Sequence, residues 1–388
     1  MSHQAKKTLQ YVLDNGVMRG DRTGKGRHSV FSPPDEIYDL KKGFPLTTLR
    51  RVDPKAMISE LLWFLSGSTS IDDLPFKFFW KRWVPTEEQA QKFCEDNDLH
   101  IGERIRLIDG EISYGETIKL MPEEVKQRIG TIGHLYGVSW RNAPGPKGKL
   151  HPVRQMADLP KTLLEKFLVD DEASPRASVK DLIEWLDNSQ DDIYNEDVKA
   201  TIRGAILAAY WKNYDQINEL VYKIKNNPFS SRLRVSAYLT DYMAFEEFTP
   251  QENTLDGRAC LTPCHTFFQC YVNDKMDGSP RTLDLKLTLT SSDVPAGRVY
   301  NVAQYAMLTH MLAQVCGLEA GRLIISTGDA HIYGDQFEAV EKIMQREPYP
   351  LPKLWLNPEV KDIFDFTVDD IRVEGYEAHP PIKVPVAV

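Results

Sequence analysis

Apolar positions recur with helical spacing at the start of the chain and take on strand-like alternation in its second half. Leu9, Val12 and Leu13 share one face of a predicted amphipathic helix over Ala5–Val17. A Gly-rich turn, Arg19-Gly20-Asp21-Arg22-Thr23-Gly24-Lys25-Gly26, leads into a strand-like stretch at Ser29–Phe31. Ile58–Leu65 reads as a buried helix, although it contains Glu60. Leu233–Tyr238, Thr266–Val272 and Leu283–Leu289 alternate or carry β-branched residues and predict strands. Val302–Val315 has helical apolar spacing, and Leu323–Ser326 reads as a short strand. Ile371–Val388 is an extended tail punctuated by Pro380, Pro381 and Pro385. No internal repeat is present. The pattern predicts an α+β fold, one central sheet with helices against it.

Two stretches depart from this pattern, at about 85–130 and 142–212. Both are charged and irregular. The second holds helical pieces at Val179–Leu186 and Asn195–Ala209 and an acidic patch, Asp170-Asp171-Glu172. Neither carries a convergent polar motif, so they read as insertions, or a helical lobe, decorating one domain that spans 1–388.

Composition narrows the class. The chain has 388 residues, 42% of them hydrophobic, which supports a sizeable core and argues against wholesale disorder. A formal net charge of -9 argues against a general nucleic-acid coat protein, though a local basic pocket is compatible with it. Met1–Lys7 is polar with no signal-peptide core, and no apolar run reaches membrane-spanning length. Five cysteines with no CxxC pair point to a reducing compartment. The expectation is a cytoplasmic protein with no membrane or specific nucleic-acid partner.

The chemistry centres on Leu261-Thr262-Pro263-Cys264-His265, just ahead of an apolar strand. A thiolate is a strong nucleophile when nearby cations or hydrogen-bond donors lower its pKa. Taken alone, Cys264 could equally be a small buried hydrophobe. Cys260, Cys264 and His265 could be metal ligands, but no second Cys/His pair follows at zinc-site spacing. The local signature of a papain-like hydrolase is missing.

Further segments set Cys264 in context: Asp21-Arg22-Thr23-Gly24-Lys25-Gly26, Gly43-Phe44-Pro45-Leu46-Thr47-Thr48, and Glu60-Leu61-Leu62-Trp63-Phe64-Leu65. Leu135-Tyr136-Gly137 with Trp140-Arg141, Gly328-Asp329-Ala330-His331-Ile332-Tyr333, and the end from Glu374-Gly375-Tyr376 to Pro385-Val386-Ala387-Val388 belong with them. Together with Pro263-Cys264-His265, they resemble the thymidylate synthase family across most of the chain outside the two insertions.

The resemblance implies a thymidylate synthase-like fold and a one-carbon transfer from 5,10-methylenetetrahydrofolate to C5 of dUMP, with no metal. C5 of uracil is a poor nucleophile until a thiolate adds at C6 and makes an enolate. Cys264 would supply that thiolate. The methylene is then captured, the C5 proton leaves, folate departs and a hydride completes a methyl group. By the same resemblance Glu60 is the proton-relay acid/base acting through water, Tyr136 lies near C5, and His265 orders the water beside O4. Ser291 and the arginines Arg22 and Arg232 bind the nucleotide, while His331 and Tyr333 hold the ribose 3′-hydroxyl. Asn301 can donate to O4 and accept from N3–H, which suits uracil over cytosine. Trp80, Trp83 and Asp293 belong to the folate site, and the Val388 carboxylate closes over the ligands. A homodimer joined sheet to sheet is implied, with Arg232 crossing into the partner's site.

Three positions depart from the family's pattern. Of four phosphate-binding arginines expected, Ser231 and Thr290 replace two, and Thr290 stands where a cation should lie near the thiol. Each lost contact costs about 1.5–3 kcal/mol if unreplaced, and the Cys264 pKa should rise. Arg51, Arg234 and Arg298 are candidate replacements, and ordinary surface arginines are the competing reading. Leu49 replaces a basic residue near the folate tail. Two alternatives stay open: a deoxyuridylate hydroxymethylase of the kind known from bacterial viruses, in which water replaces hydride, and an inactive homologue whose insertions bind a partner or RNA.

Overall fold

The computed structural model describes residues 2–21, 24–77, 79–99, 103–105, 117–119, 121–144, 213–274 and 276–386. The chain divides into two compact units, one of residues 1–141 and 216–388, the other of residues 142–215. Described parts of the smaller unit include a short antiparallel pairing of Ala143 with Tyr214 and Pro144 with Asn213. The helices predicted at Val179–Leu186 and Asn195–Ala209 lie outside the described residues.

The larger unit is α+β and is built on a seven-stranded mixed sheet. Its strands are β1 (Val17–Arg19), β2 (Arg27–Phe31), β3 (Glu36–Asp39), β4 (Arg234–Ser236), β5 (His265–Asn273), β6 (Thr282–Asp293) and β7 (Glu319–Tyr333). They lie in the order β1-β2-β7-β6-β5-β4, with β3 pairing alongside β2 on β7. Only β6 and β7 run parallel; the other pairings are antiparallel. A parallel pair needs a crossover, and helix α4 (Arg298–Val315) supplies it. Fourteen of its 18 residues are buried, because it packs against both the sheet and α2 (Pro54–Ser66).

Helix α2 starts and stops where its sequence dictates. Asp53 caps it by accepting from the Lys55 N–H at 2.9 Å, Pro54 follows at the first turn, and Gly67 ends it in the left-handed conformation. A cap of this kind is worth about 1 kcal/mol. Helices α1 (Ser2–Asn15) and α3 (Tyr136–Arg141) complete the frame.

The first departure region is not irregular throughout. Glu87–Asp96 is a helix with a Thr86–Gln89 capping box, and its Ala90 and Cys94 share a small core with Met121, Val125 and Leu255. Ile371–Glu374 is not free tail but a strand paired with Lys353–Leu356. Beyond it, the Arg51 N–H donates to the His379 carbonyl at 2.8 Å and the His379 N–H to the Thr48 carbonyl at 3.0 Å, clamping the final segment to the body. No described helix is long and apolar enough to cross a membrane.

Candidate active site

One cavity of about 470 Å³ gathers residues from α2, α3, β5, β6, α4, β7 and the tail. Cys264 precedes β5, directly after Pro263, whose missing N–H suits the first position of a strand. The β5/β6 register shifts between Thr288 and Leu289, opposite Phe267 and His265. Such a bulge re-aims the chain beside a site. It leaves the Thr290 N–H donating to the Cys264 carbonyl at 2.9 Å, and the Thr290 hydroxyl 3.3 Å from the carbonyls of Cys264 and Pro263. The position where a cation was expected therefore binds the cysteine's backbone.

The thiol opens to solvent through the cavity but is walled by protein on its other sides. Burial, and then the Asp293 carboxylate, push its pKa up to about 11. Among the described residues no cation opposes them. The Cys264 N–H donates to the Tyr136 hydroxyl at 3.0 Å. The Tyr136 ring lies flat on His265, with centroids 3.5 Å apart and planes 6° from parallel. His265 is buried, bonds the Tyr305 hydroxyl through Nδ1 at 2.8 Å, and has its pKa driven down to about 3, so the imidazole is neutral at pH 7.

Glu60 sits mid-helix with each carboxylate oxygen engaged. Trp80 Nε1 donates to Oε1 and Gln304 Nε2 to Oε2, both at 2.6 Å. Burial raises its pKa, and the two hydrogen bonds pull it back down. Trp80 and Trp83 meet edge to face at 5.5 Å and form an aromatic wall with Phe79.

Asp293 ends β6. It accepts from the Ala296 N–H at 3.1 Å and from Gln336 Nε2 at 2.9 Å, while burial raises its pKa to about 6. Gln336 also donates to the Pro385 carbonyl at 2.7 Å, tying the tail to the same corner. Ile382, Lys383, Val384 and Val386 line the cavity in consequence. Alternation along β7 puts His331 and Tyr333 on one face, their rings 5.0 Å apart. His331 Nδ1 is 3.1 Å from Asp329 Oδ1, which fixes the proton on Nδ1 and leaves Nε2 for another partner. Ser291 and Asn301 line the cavity too.

Eleven of the residues singled out from sequence thus share one cavity: Cys264, Glu60, Tyr136, His265, Ser291, Asn301, His331, Tyr333, Trp80, Trp83 and Asp293. Arg22 and Val388 lie outside the described residues. Arg232 is exposed just ahead of β4 and does not line the cavity.

The candidate replacements for the missing arginines fare differently. Arg298 is not free for phosphate. It is 3% exposed and bound to Glu36, with Nε–Oε1 and Nη2–Oε2 distances of 3.2 Å, and its Nη1 donates to Ser292 and Thr327. Arg51 and Arg234 are exposed and outside the cavity lining. Leu49 is core, packed with Leu9, Val12 and Val340.

Sequence reasoning missed Arg50, Gln304, Gln336 and Asp329. Arg50 is buried, lines the cavity and donates to the Pro295 carbonyl at 3.0 Å, although Arg51 beside it drew the attention. Gln304 had a visible signal, a long polar side chain in the apolar run Val302-Ala303-Gln304-Tyr305-Ala306.

An isolated cysteine at a strand edge supports several chemistries. A cysteine sharing a cavity with a buried glutamate, a stacked Tyr–His pair, a helix-borne asparagine and an aromatic wall supports far fewer. The family model for thymidylate synthase matches residues 3–388, so the chain belongs to the thymidylate synthase family.

Proposed function

We propose that this protein is a thymidylate synthase proper, converting dUMP and 5,10-methylenetetrahydrofolate to dTMP and dihydrofolate. Family membership supports a one-carbon transfer of this type to dUMP. The single observation that carries the finer reading is the shared cavity: a nucleophile, a carboxylate placed for proton relay and an aromatic wall line one space.

In this reading Cys264 attacks C6 of the uracil ring. Its raised resting pKa fits an ionisation that accompanies substrate binding. Glu60, fixed by two donors, moves protons through water near O4. Neutral His265, held by Tyr305 and by stacking on Tyr136, orders that water. Asn301 reads O4 and N3–H from the first turn of α4, and Ser291 with Arg22 receives the phosphate. His331, its tautomer set by Asp329, and Tyr333 hold the ribose hydroxyl.

The folate supplies the one-carbon unit and, in the synthase branch, the hydride. Trp80, Trp83 and Asp293 fit such a ligand, since a flat pterin can lie against indole faces while a buried acid with a raised pKa can exchange hydrogen bonds with its ring nitrogens. Closure of the tail that lines the cavity over the bound ligands would restrict water and so favour hydride over hydroxyl capture.

A homodimer accompanies this reading. The sheet strands expose Phe31 at 80%, Tyr271 at 66% and Ile37, and exposed apolar groups suit an isologous contact. Arg232 would cross such an interface.

Incubation with dUMP and methylenetetrahydrofolate tests the reaction. Absorbance growth from dihydrofolate with dTMP formation is expected. A 5-hydroxymethyl product without dihydrofolate would make the protein a hydroxymethylase, and absence of both turnover and tritium release from C5 would make it an inactive homologue.

A further inference from the structure

We propose that Gln304 holds Glu60 as a fixed, doubly hydrogen-bonded carboxylate and is thereby a positioning residue for the acid–base step; the catalytic half of this proposal rests on the relay role given to Glu60 above.

Glu60 is surrounded on α2 by Ile58, Leu61 and Phe64, all buried. Its oxygens are shared out singly, Oε1 to the Trp80 indole and Oε2 to the Gln304 amide, at 2.6 Å each. An indole N–H can only donate. A glutamine amide can do either, and turned over it would accept from a protonated carboxyl instead. That reversal is opposed here. Gln304 Nε2 also lies 3.4 Å from the Met57 carbonyl, so turning the amide would set its oxygen against that carbonyl. Gln304 is 2% exposed, so water does not replace the bonds its amide would lose on turning. Both of Glu60's partners are therefore donors only, and donors favour the charged form.

The neighbouring ionisable groups do not do this work. His265, Tyr136 and Cys264 are held neutral at pH 7 by burial. Arg50, Asp293 and Lys383 also line the cavity, yet among the described residues it is Gln304 and Trp80 that act on Glu60 against its burial. Gln304 lies one turn after Asn301 on α4, so a single helix face carries both the candidate base-reading amide and the carboxylate's donor.

The test uses the full-length protein. Gln304→Met keeps the length of the side chain and removes the donor. Glu60 is followed by carboxyl carbon NMR through a pH titration, its signal assigned by loss in Glu60→Gln. The midpoint in Gln304→Met should rise by about one to two pH units, and the acidic limb of the pH–rate profile for dTMP formation should move up with it. An unmoved midpoint, whatever the fall in rate, overturns the proposal. Gln304→Glu preserves the shape should the methionine variant fail to fold. Two carboxyls would then share one proton, raising the midpoint further, and an unmoved midpoint there overturns it equally. If the midpoint moves and the limb does not, the relay role of Glu60 is wrong and the catalytic half falls, while Gln304's hold on the carboxylate stands.

Discussion

The pair formed by Glu36 and Arg298 offers the most direct physical test of how this fold carries its site. Both residues are 3% exposed and separated by 262 positions in sequence. Glu36 comes from the short strand β3 and also accepts from the hydroxyls of Thr8 and Tyr38. Arg298 opens α4 and reaches Ser292 at 3.1 Å and Thr327 at 2.8 Å. The knot joins α1, β3, β6, β7 and α4 directly behind Ser291 and Asp293. Arg298→Leu would leave a buried carboxylate with hydroxyl partners alone. Breaking a buried pair in this way costs about 3–5 kcal/mol, whereas replacing both partners with apolar residues is often neutral. Urea unfolding of Arg298→Leu, Glu36→Met and the double variant reads the difference. Each single variant should lose about 3–5 kcal/mol, and the double variant should recover at least about half of that, since the four stranded hydroxyls retain part of the penalty. A single variant within about 1 kcal/mol of the native protein refutes the reasoning, as does a double variant no more stable than either single. Nucleotide affinity should fall in the single variants, because Ser292 lies between two cavity residues.

Three further outcomes follow from the site. Thr290→Arg restores a cation beside Cys264 and should lower the thiol's pKa from about 11; iodoacetamide alkylation at pH 8 should speed up about three- to fourfold per pH unit of that fall, the gain in thiolate being partly offset by lower nucleophilicity, and an unchanged rate would place the new cation out of reach. Asp293 has a folded pKa raised from its ordinary 3.8 to about 6, so its contribution to stability is full below 3.8 and is lost as pH rises through 6. Asp293→Asn should thus be more stable than the native protein at pH 8, by up to about 3 kcal/mol, with the advantage gone by pH 4, while its turnover collapses; equal unfolding midpoints at pH 8 would contradict this. Asn301→Asp should shift kcat/KM from dUMP toward dCMP, since a carboxyl matches the reversed donor pattern of cytosine, and an unaltered ratio between the two nucleotides would remove Asn301 as the discriminating residue.

What could be read from sequence was whatever repeats locally. The helix over Ala5–Val17 and the strands at Thr266–Val272 and Leu283–Leu289 lie within one to four residues of the observed limits, because one buried face imposes its period on each. Strand β7 was seen only as Leu323–Ser326, although it runs from Glu319 to Tyr333. Its outer parts carry Gly321, Gly328, Asp329 and His331, residues that neither favour strands nor look buried. The sheet holds them because Gly321 and Gly328 let neighbouring groups approach closely and His331 is satisfied by Asp329. Helix α4 likewise starts four residues before its apolar pattern does, since in its first turn Arg298 binds the buried Glu36 and Tyr300 and Asn301 line the cavity.

The same distinction explains Arg298. From sequence it was a spare cation near the site, and charge alone made it eligible to bind phosphate. Its partner lies 262 residues away on an edge strand, and no local pattern announces a pairing of that kind. Cys264 shows the converse. The sequence indicated that a cation was missing, and the geometry shows what the loss entails. Thr290 bonds the carbonyls of Pro263 and Cys264, and among the described residues Asp293 is the charge that raises the thiol's pKa. Raised to about 11 by burial and Asp293, the thiol is protonated at pH 7. In the proposed reaction its activation comes with the substrate, from a ring whose O4 is polarised by the Glu60 network as C6 is attacked. On this argument Glu60 and Cys264 are coupled, and a variant that weakens the hold on Glu60 should also slow the first covalent step. Tritium exchange at C5 in the absence of folate isolates that step. If Gln304→Met leaves the exchange rate unchanged at every pH, the two ends of the ring are activated independently and the coupling does not exist.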